Sequence, residues 1–192
     1  MHKFLAIIGV FSIFWAFSAK AEPEMYDFDQ GHTRILFFVN HAGFSDVIGE
    51  FAEYGGYFMF DKDKPEESYV TITINPSSVD TRHGGLNDHL RGKDFFNTPV
   101  YNSINFVSTK IEKTEENTGK LTGDLTLLGV TKPLTFDVNF NKQDEFFGRM
   151  HVGFSLKAKL KRSDFSMDCK IPLIGDEISI LVQAEGTKRQ ND

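Results

Sequence analysis

Two short stretches, Leu121-Thr-Gly-Asp-Leu-Thr-Leu127 and Leu134-Thr-Phe-Asp-Val-Asn-Phe140, decide how the rest of the chain is read. In the first, apolar or small residues at 121, 123, 125 and 127 alternate with Thr122, Asp124 and Thr126. In the second, Leu134, Phe136, Val138 and Phe140 alternate with Thr135, Asp137 and Asn139. Side chains on a strand point to opposite faces in turn, so each stretch is a strand with one apolar and one polar face. Gly129 and Pro133 in the link Leu128–Pro133 are turn residues, which makes the pair an antiparallel hairpin.

The same alternation recurs on both sides of this hairpin. Arg34–Asn40 puts Ile35, Phe37 and Val39 on one face and Leu36 and Phe38 on the other. His41–Gly49 breaks the pattern and reads as a short helical turn, and Phe51–Asp61 returns to strand with a corner expected at Gly55-Gly56. Val70, Ile72 and Ile74 form the next strand, after a charged turn at Asp61–Glu67, and Ile104 and Phe106 the one after that. Val152 to Lys161 alternates through Phe154, Leu156, Ala158 and Leu160, beyond a turn expected at Gln143–Glu145. Ile178, Ile180 and Val182 close the chain. About eight mostly sequential strands with short turns and one apolar face each give an all-β, up-and-down arrangement, either a closed barrel or a sandwich. Pro76–Tyr101 is the one long interruption. Leu86 and Leu90 lie there at i, i+4, so a short amphipathic helix is expected, in a segment packed over one end of the sheet.

The N-terminus has a different character. Lys3, an apolar run from Phe4 to Phe17 and the Ala19-Lys20-Ala21 signature read as a secretory signal peptide, cut after Ala21 and too short to span a membrane. Residues 22–192 then form one exported domain of 171 residues. Lys3 and Lys20 leave with the leader and no acid does, so the formal charge moves from −6 to −8. Such a chain is poorly suited to nucleic acid or an anionic surface. Cys169 is the one cysteine, so no internal disulfide forms and a core must stabilise the fold.

Catalytic signatures are absent: there is no G-x-S-x-G, H-E-x-x-H, phosphate-binding glycine loop or S-x-x-K. His32, His41, His83, His89 and His151 show no i, i+2 or i, i+4 pairing, so no metal site is expected, although one assembled across strands stays open. Lys157, Lys159, Lys161 and Arg162 form a basic stripe on the outer face of a strand, read as solvated. Arg91, Lys93 and Lys132 are the candidates to ring a pocket mouth and meet a head group. The interior is the strongest candidate site. A small eight-stranded barrel can be filled by its own side chains or can hold one ligand, and periodicity does not choose between them.

Four blocks resemble the YceI family of periplasmic polyisoprenoid-binding, lipocalin-like barrels: His32–Phe51, Ser78–Phe96, Leu121–Val138 and Leu160–Met167. The resemblance implies an extended eight-stranded antiparallel barrel with a short helical lid segment, located in the periplasm. It also implies a tunnel for a long-chain isoprenoid or fatty lipid, a carrier role with no cofactor, and no catalysis. Carried over by position, the tunnel residues would be Ile35, Phe37, Val39, Phe58, Phe60, Val70, Ile72, Ile74, Ile104, Phe106, Leu125, Leu127, Phe136 and Val138, with Phe154, Leu156 and Ala158 on the long strand. The competing reading is a packed stress-response barrel that partners an inner-membrane redox protein; homodimerisation is open in either case. The chain departs from the family pattern at Leu86-Asn87, where Arg-Asp is usual, at Ser166 for Gly, and at Asn102 for Pro.

Overall fold

A computed structural model of the chain describes residues 22–190, so the signal peptide read at residues 1–21 lies outside the described residues. The strands are β1 (Glu24–Phe28), β2 (Arg34–His41), β3 (Ser45–Phe51), β4 (Tyr54–Phe60), β5 (Tyr69–Ile74), β6 (Val79–Asp80), β7 (Ile104–Lys113), β8 (Thr118–Leu127), β9 (Val130–Phe146), β10 (Arg149–Lys161) and β11 (Ile174–Lys188). Among the described residues one α-helix, α1 (Gly84–Arg91), lies between β6 and β7. All pairings are antiparallel, and β11 meets β10 on one edge and both β1 and β2 on the other. β1 and β2 therefore run end to end along β11 as one broken strand. By the same logic β3 and β4 make a second composite strand, pairing with β2 and β1, and β5 and β6 a third, pairing with β4 and β3. The result is a closed eight-stranded up-and-down barrel, which leaves few free edges.

The three strand breaks lie at one level and stitch to each other. Asp29 turns the chain between β1 and β2 by accepting Gly31 N–H at 2.7 Å and His32 N–H at 3.1 Å. Between β3 and β4, Ala52 N–H donates to Ser78 O at 3.3 Å and Glu53 O accepts from Asn75 N–H at 2.9 Å, across the break between β5 and β6. The Tyr54 hydroxyl donates to Thr33 O at 3.2 Å and ties the first break to the second. The corner thus falls at Ala52-Glu53, not at Gly55-Gly56. Gly56 serves a different need: at φ +135° a Cβ there would sit 2.2 Å from the Thr71 carbonyl oxygen of β5.

Two expected turns are strand. His41–Gly49 contains no helical turn; the chain reverses at Ala42-Gly43 (φ 53° and 79°) and Ser45 onward is β3. The turn expected at Gln143–Glu145 comes later, at Phe147-Gly148 (φ 48° and 73°), so β9 overhangs. With Leu128-Gly129 these make three tight hairpins of the X-Gly kind, both central residues in the left-handed region. In each the first position is a residue that rarely adopts such a φ, which hides the turn from a reading of composition.

Two apolar clusters form the packed parts of the barrel. The larger joins β7, β8 and β9 to the lid segment, with Phe106 edge-on to Phe136 at 5.4 Å. The smaller closes the end near the termini. There Tyr26 stacks on Phe58 at 5.3 Å, and Phe154 stands edge-on to Phe58 and Phe60. Tyr26 has no exposed surface, and its hydroxyl donates to Glu24 at 2.9 Å and accepts from Gln143 at 2.7 Å. Burial, reinforced by the Glu24 carboxylate, pushes the phenol up from 10.0 to about 12. A folded-state pKa above the unfolded one gives stability that is complete below pH 10.0 and drains away as pH rises towards about 12. Thermal melts taken from neutrality to alkaline pH should show this fall in the parent protein and a flatter decline in Tyr26→Phe. Equal slopes in the two proteins would rule out Tyr26 as the cause.

Candidate functional site: an apolar cavity through the barrel

The barrel is hollow as well as packed. A cavity of about 840 Å³ runs between its two ends, at the upper part of the ~300–1,000 Å³ common for small-molecule sites. Its position follows from which inward residues touch across the middle. Ile104, Phe106, Leu121, Leu125, Leu134 and Phe136 of β7–β9 are buried against one another. Val70 and Ile72 of β5, Val138 of β9, Leu156 and Leu160 of β10, and Ile178, Ile180 and Val182 of β11 also point inward, but stay only half-buried and line the space. All but Ile178 pack against the edge of the larger cluster, yet they keep accessible surface, so the void lies along the β10–β11 wall.

The residues expected along a tunnel come together here, with one exception. Ile35, Phe37 and Val39, Phe58 and Phe60, Val70, Ile72 and Ile74, Ile104 and Phe106, Leu125 and Leu127, Phe136 and Val138, and Phe154 and Leu156 all stand on the cavity wall. Ala158 does not; it is buried in the larger packed cluster. Sequence reasoning left out Phe140 of β9 and Ile178, Ile180, Val182 and Ala184 of β11, whose alternation carried the same signal. It also left out Leu86, Leu90, Phe95 and Phe96 of the lid segment, which have no two-residue period to reveal them.

The lid closes the end away from the termini, where β6 pairs only with β3 and the wall would otherwise gape. His83 caps α1 by accepting the Leu86 N–H at 3.0 Å. Phe96 wedges between Phe37 and Phe51, with ring centroids 6.4 Å and 5.4 Å away. The two family departures in this segment have structural work. Leu86 lies on the cavity wall, and Asn87 bonds to Thr81 and Asp80, pinning the start of the helix. Ser166, a third departure, sits at φ +61°, where glycine is the ordinary choice.

The head-group candidates fall off this wall. Arg91 spends its guanidinium on Ser77 O at 2.8 Å, Val79 O at 3.3 Å and Asp88 at 3.0 Å, holding the lid in place. Lys93 and Lys132 are exposed and do not line the cavity. The charged groups that do line it come from strand ends and turns: Lys62, Asp63, Glu112, Lys113, Glu116 and Lys120 at the terminal end, and His41, His89, Arg162 and Lys170 at the lid end. Lys120 donates to Asp137 at 2.7 Å, and that hydrogen bond raises its pKa. Between the two ends the wall is aliphatic and phenyl.

Arg162 does not belong to the outer basic stripe that Lys157, Lys159 and Lys161 form. Position 162 shares the inward side with Leu160, and the chain turns there through Arg162–Phe165, leaving the guanidinium 2% exposed. There it donates to four backbone carbonyls, those of Gly175, Met167, Cys169 and Ile174, at 2.8–3.0 Å. Its pKa is lowered by burial, offset in part by Asp176, but a guanidinium keeps its proton. No helix among the described residues is long and apolar enough to cross a membrane.

Comparison with known proteins places this geometry in a family. The model of the YceI-like domain matches residues 26–186. Protein YceI of Escherichia coli O17:K52:H18 is 35% identical over 179 residues, 93% of either chain. Among solved structures, Burkholderia cenocepacia BcnA matches with a TM-score of 0.77 at 23% identity, over 83% of this chain and 99% of that one. A polyisoprenoid binding domain from Saccharophagus degradans, implicated in plant cell wall breakdown, matches with a TM-score of 0.67 at 14% identity, over 85% and 98%. At these identities the two structures establish the shared fold.

Proposed function

Since the chain belongs to the YceI-like family, we propose that it is an exported, periplasmic carrier that sequesters a long-chain lipid, isoprenoid in character, inside its barrel. The observation that carries this reading is the cavity of about 840 Å³, walled by hydrocarbon along its length with charge confined to the ends. Such a slot suits a ligand that is itself a long apolar chain with a polar terminus. The polyisoprenoid binding domain of the S. degradans protein, built on the same fold, supports the isoprenoid class.

Energetics favour a long tail over a short one. Burial gains about 0.8 kcal/mol per methylene, while association costs on the order of 4–15 kcal/mol in lost freedom. Short chains therefore fall near break-even and long ones bind. Binding rather than catalysis also fits the wall, since no acid–base pair lies in its aliphatic middle section. Protein prepared from periplasm without detergent should carry a long-chain isoprenoid lipid, read by native mass spectrometry and by solvent extraction. Delipidated protein should take up an added polyprenyl ligand. An apo mass together with no uptake would sink the proposal.

A further inference from the structure

On the outside of the barrel, over the aromatic cluster, three side chains far apart in sequence converge. Asp29 follows β1, His151 lies on β10 and Glu185 on β11, and one ligand atom from each lies within 4.8 Å of the others. His151 Nδ1 is 3.0 Å from Glu185 Oε1. A second imidazole stands behind the group, with His32 Nδ1 3.0 Å from Asp29 Oδ2. The framework is stiff. Asp29 N–H donates to Glu185 O at 2.8 Å, and Thr33 Oγ1 both donates to Glu185 O and accepts Glu185 N–H, each at 3.0 Å.

Two carboxylates held this close repel each other unless a positive charge sits between them. The three side chains are partly withdrawn from water, at 22% exposure for Asp29, 20% for His151 and 35% for Glu185. The Phe146 ring stands edge-on to His151 at 5.7 Å and screens that flank. Each carboxylate meets one imidazole, Asp29 that of His32 and Glu185 that of His151, while the nearby guanidinium groups turn elsewhere: Arg34 donates to Thr33 O at 2.9 Å, and Arg189 is bound to Asp27.

We propose that Asp29, His151 and Glu185 form a site for one divalent transition-metal ion of the zinc class. One imidazole and two carboxylates suit such an ion, with an open fourth position for water. His32 is a positioning residue that holds the Asp29 carboxylate towards the ion, as hydrogen-bonded partners of metal ligands do. Asp29 uses Oδ1 for the turn at Gly31 and His32, so the oxygen it offers is Oδ2, which His32 also bonds. The site lies outside the cavity and does not depend on what the cavity holds.

The test is calorimetric titration of Zn²⁺ into the mature protein after exposure to a chelator, alongside His151→Gln, Glu185→Gln and His32→Gln. The parent should bind one equivalent and melt at a higher temperature with Zn²⁺ present. His151→Gln and Glu185→Gln should each weaken binding by more than about 100-fold. His32→Gln, a change at an exposed position that leaves the fold intact by circular dichroism, should weaken it by about 10–100-fold. Absence of binding by the parent, or affinity in both His151→Gln and Glu185→Gln within threefold of the parent, overturns the site.

Discussion

Val182→Trp should strip the barrel of its lipid and leave the fold standing. Val182 lies on β11 between Leu156 of β10 and Ile35 of β2, points into the cavity and is only half-buried. An indole at this position occupies the space that the proposed tail needs. Elsewhere in a core the added bulk would cost about 1–3 kcal/mol through strain, but here Val182 borders the cavity and the ring has that space to enter. Co-purified lipid should fall by more than about tenfold while the melting temperature stays close to that of the parent. Val182→Leu, smaller than the void, should keep its lipid. The new residue also reports on its surroundings. Trp15 is the chain's one tryptophan, so in a variant produced as residues 22–192 emission comes from position 182 alone and should be blue-shifted. A folded Val182→Trp protein that still carries a full lipid load would mean that the ligand does not use this cavity.

Arg162→Met should be the most damaging single substitution outside the packed clusters. The guanidinium ties Met167, Cys169, Ile174 and Gly175 to the end of β10, closing the lid end of the barrel. Asp176 braces the same turn by accepting from Ser163 N–H at 2.9 Å and Ser163 Oγ at 2.8 Å. A methionine of similar reach fills the space but leaves four carbonyls without a donor. Hydrogen bonds to charged groups are worth about 1.5–3 kcal/mol each, and they are not additive. A loss of about 3–5 kcal/mol is expected, which for a domain of this size lowers the melting temperature by roughly 6–20 °C. Arg162→Lys should recover only part of this, because an ammonium offers three donors from one point and cannot span four carbonyls. Chemical denaturation gives the free energy directly, and an Arg162→Met melt within about 2 °C of the parent would show that the turn holds without it.

Both substitutions act where reading by periodicity reached its limit. Alternation at 121–140 placed Leu125, Leu127, Phe136 and Val138 on the inside without any knowledge of their partners. Grouping Arg162 with Lys157, Lys159 and Lys161 followed charge and not the period, which puts position 162 on the inward side with Leu160. The strand ends at Lys161, and what the period could not supply is the turn whose carbonyls the guanidinium reaches. The turns at Ala42-Gly43 and Phe147-Gly148 escaped for a related reason. A positive φ at Ala42 or Phe147 is imposed by the pairing of whole strands on either side, such as Val39 with Val47 and Val152 with Gln143.

What the residues alone determined is which side of each strand is apolar, since a period of two is a local property of the extended backbone. That was enough for an all-β, up-and-down arrangement and for most of its inner surface, while the choice of a closed barrel over a sandwich rested on the family resemblance. Whether the inner surfaces meet is a different quantity. The distance between opposing walls depends on strand number, tilt and register together, and no window of sequence contains it. Tertiary structure decided that Phe106 touches Phe136 while Val182 borders the cavity, and that Asp29, His151 and Glu185 meet on the outer wall. Each is a relation between strands brought together only when the sheet closes.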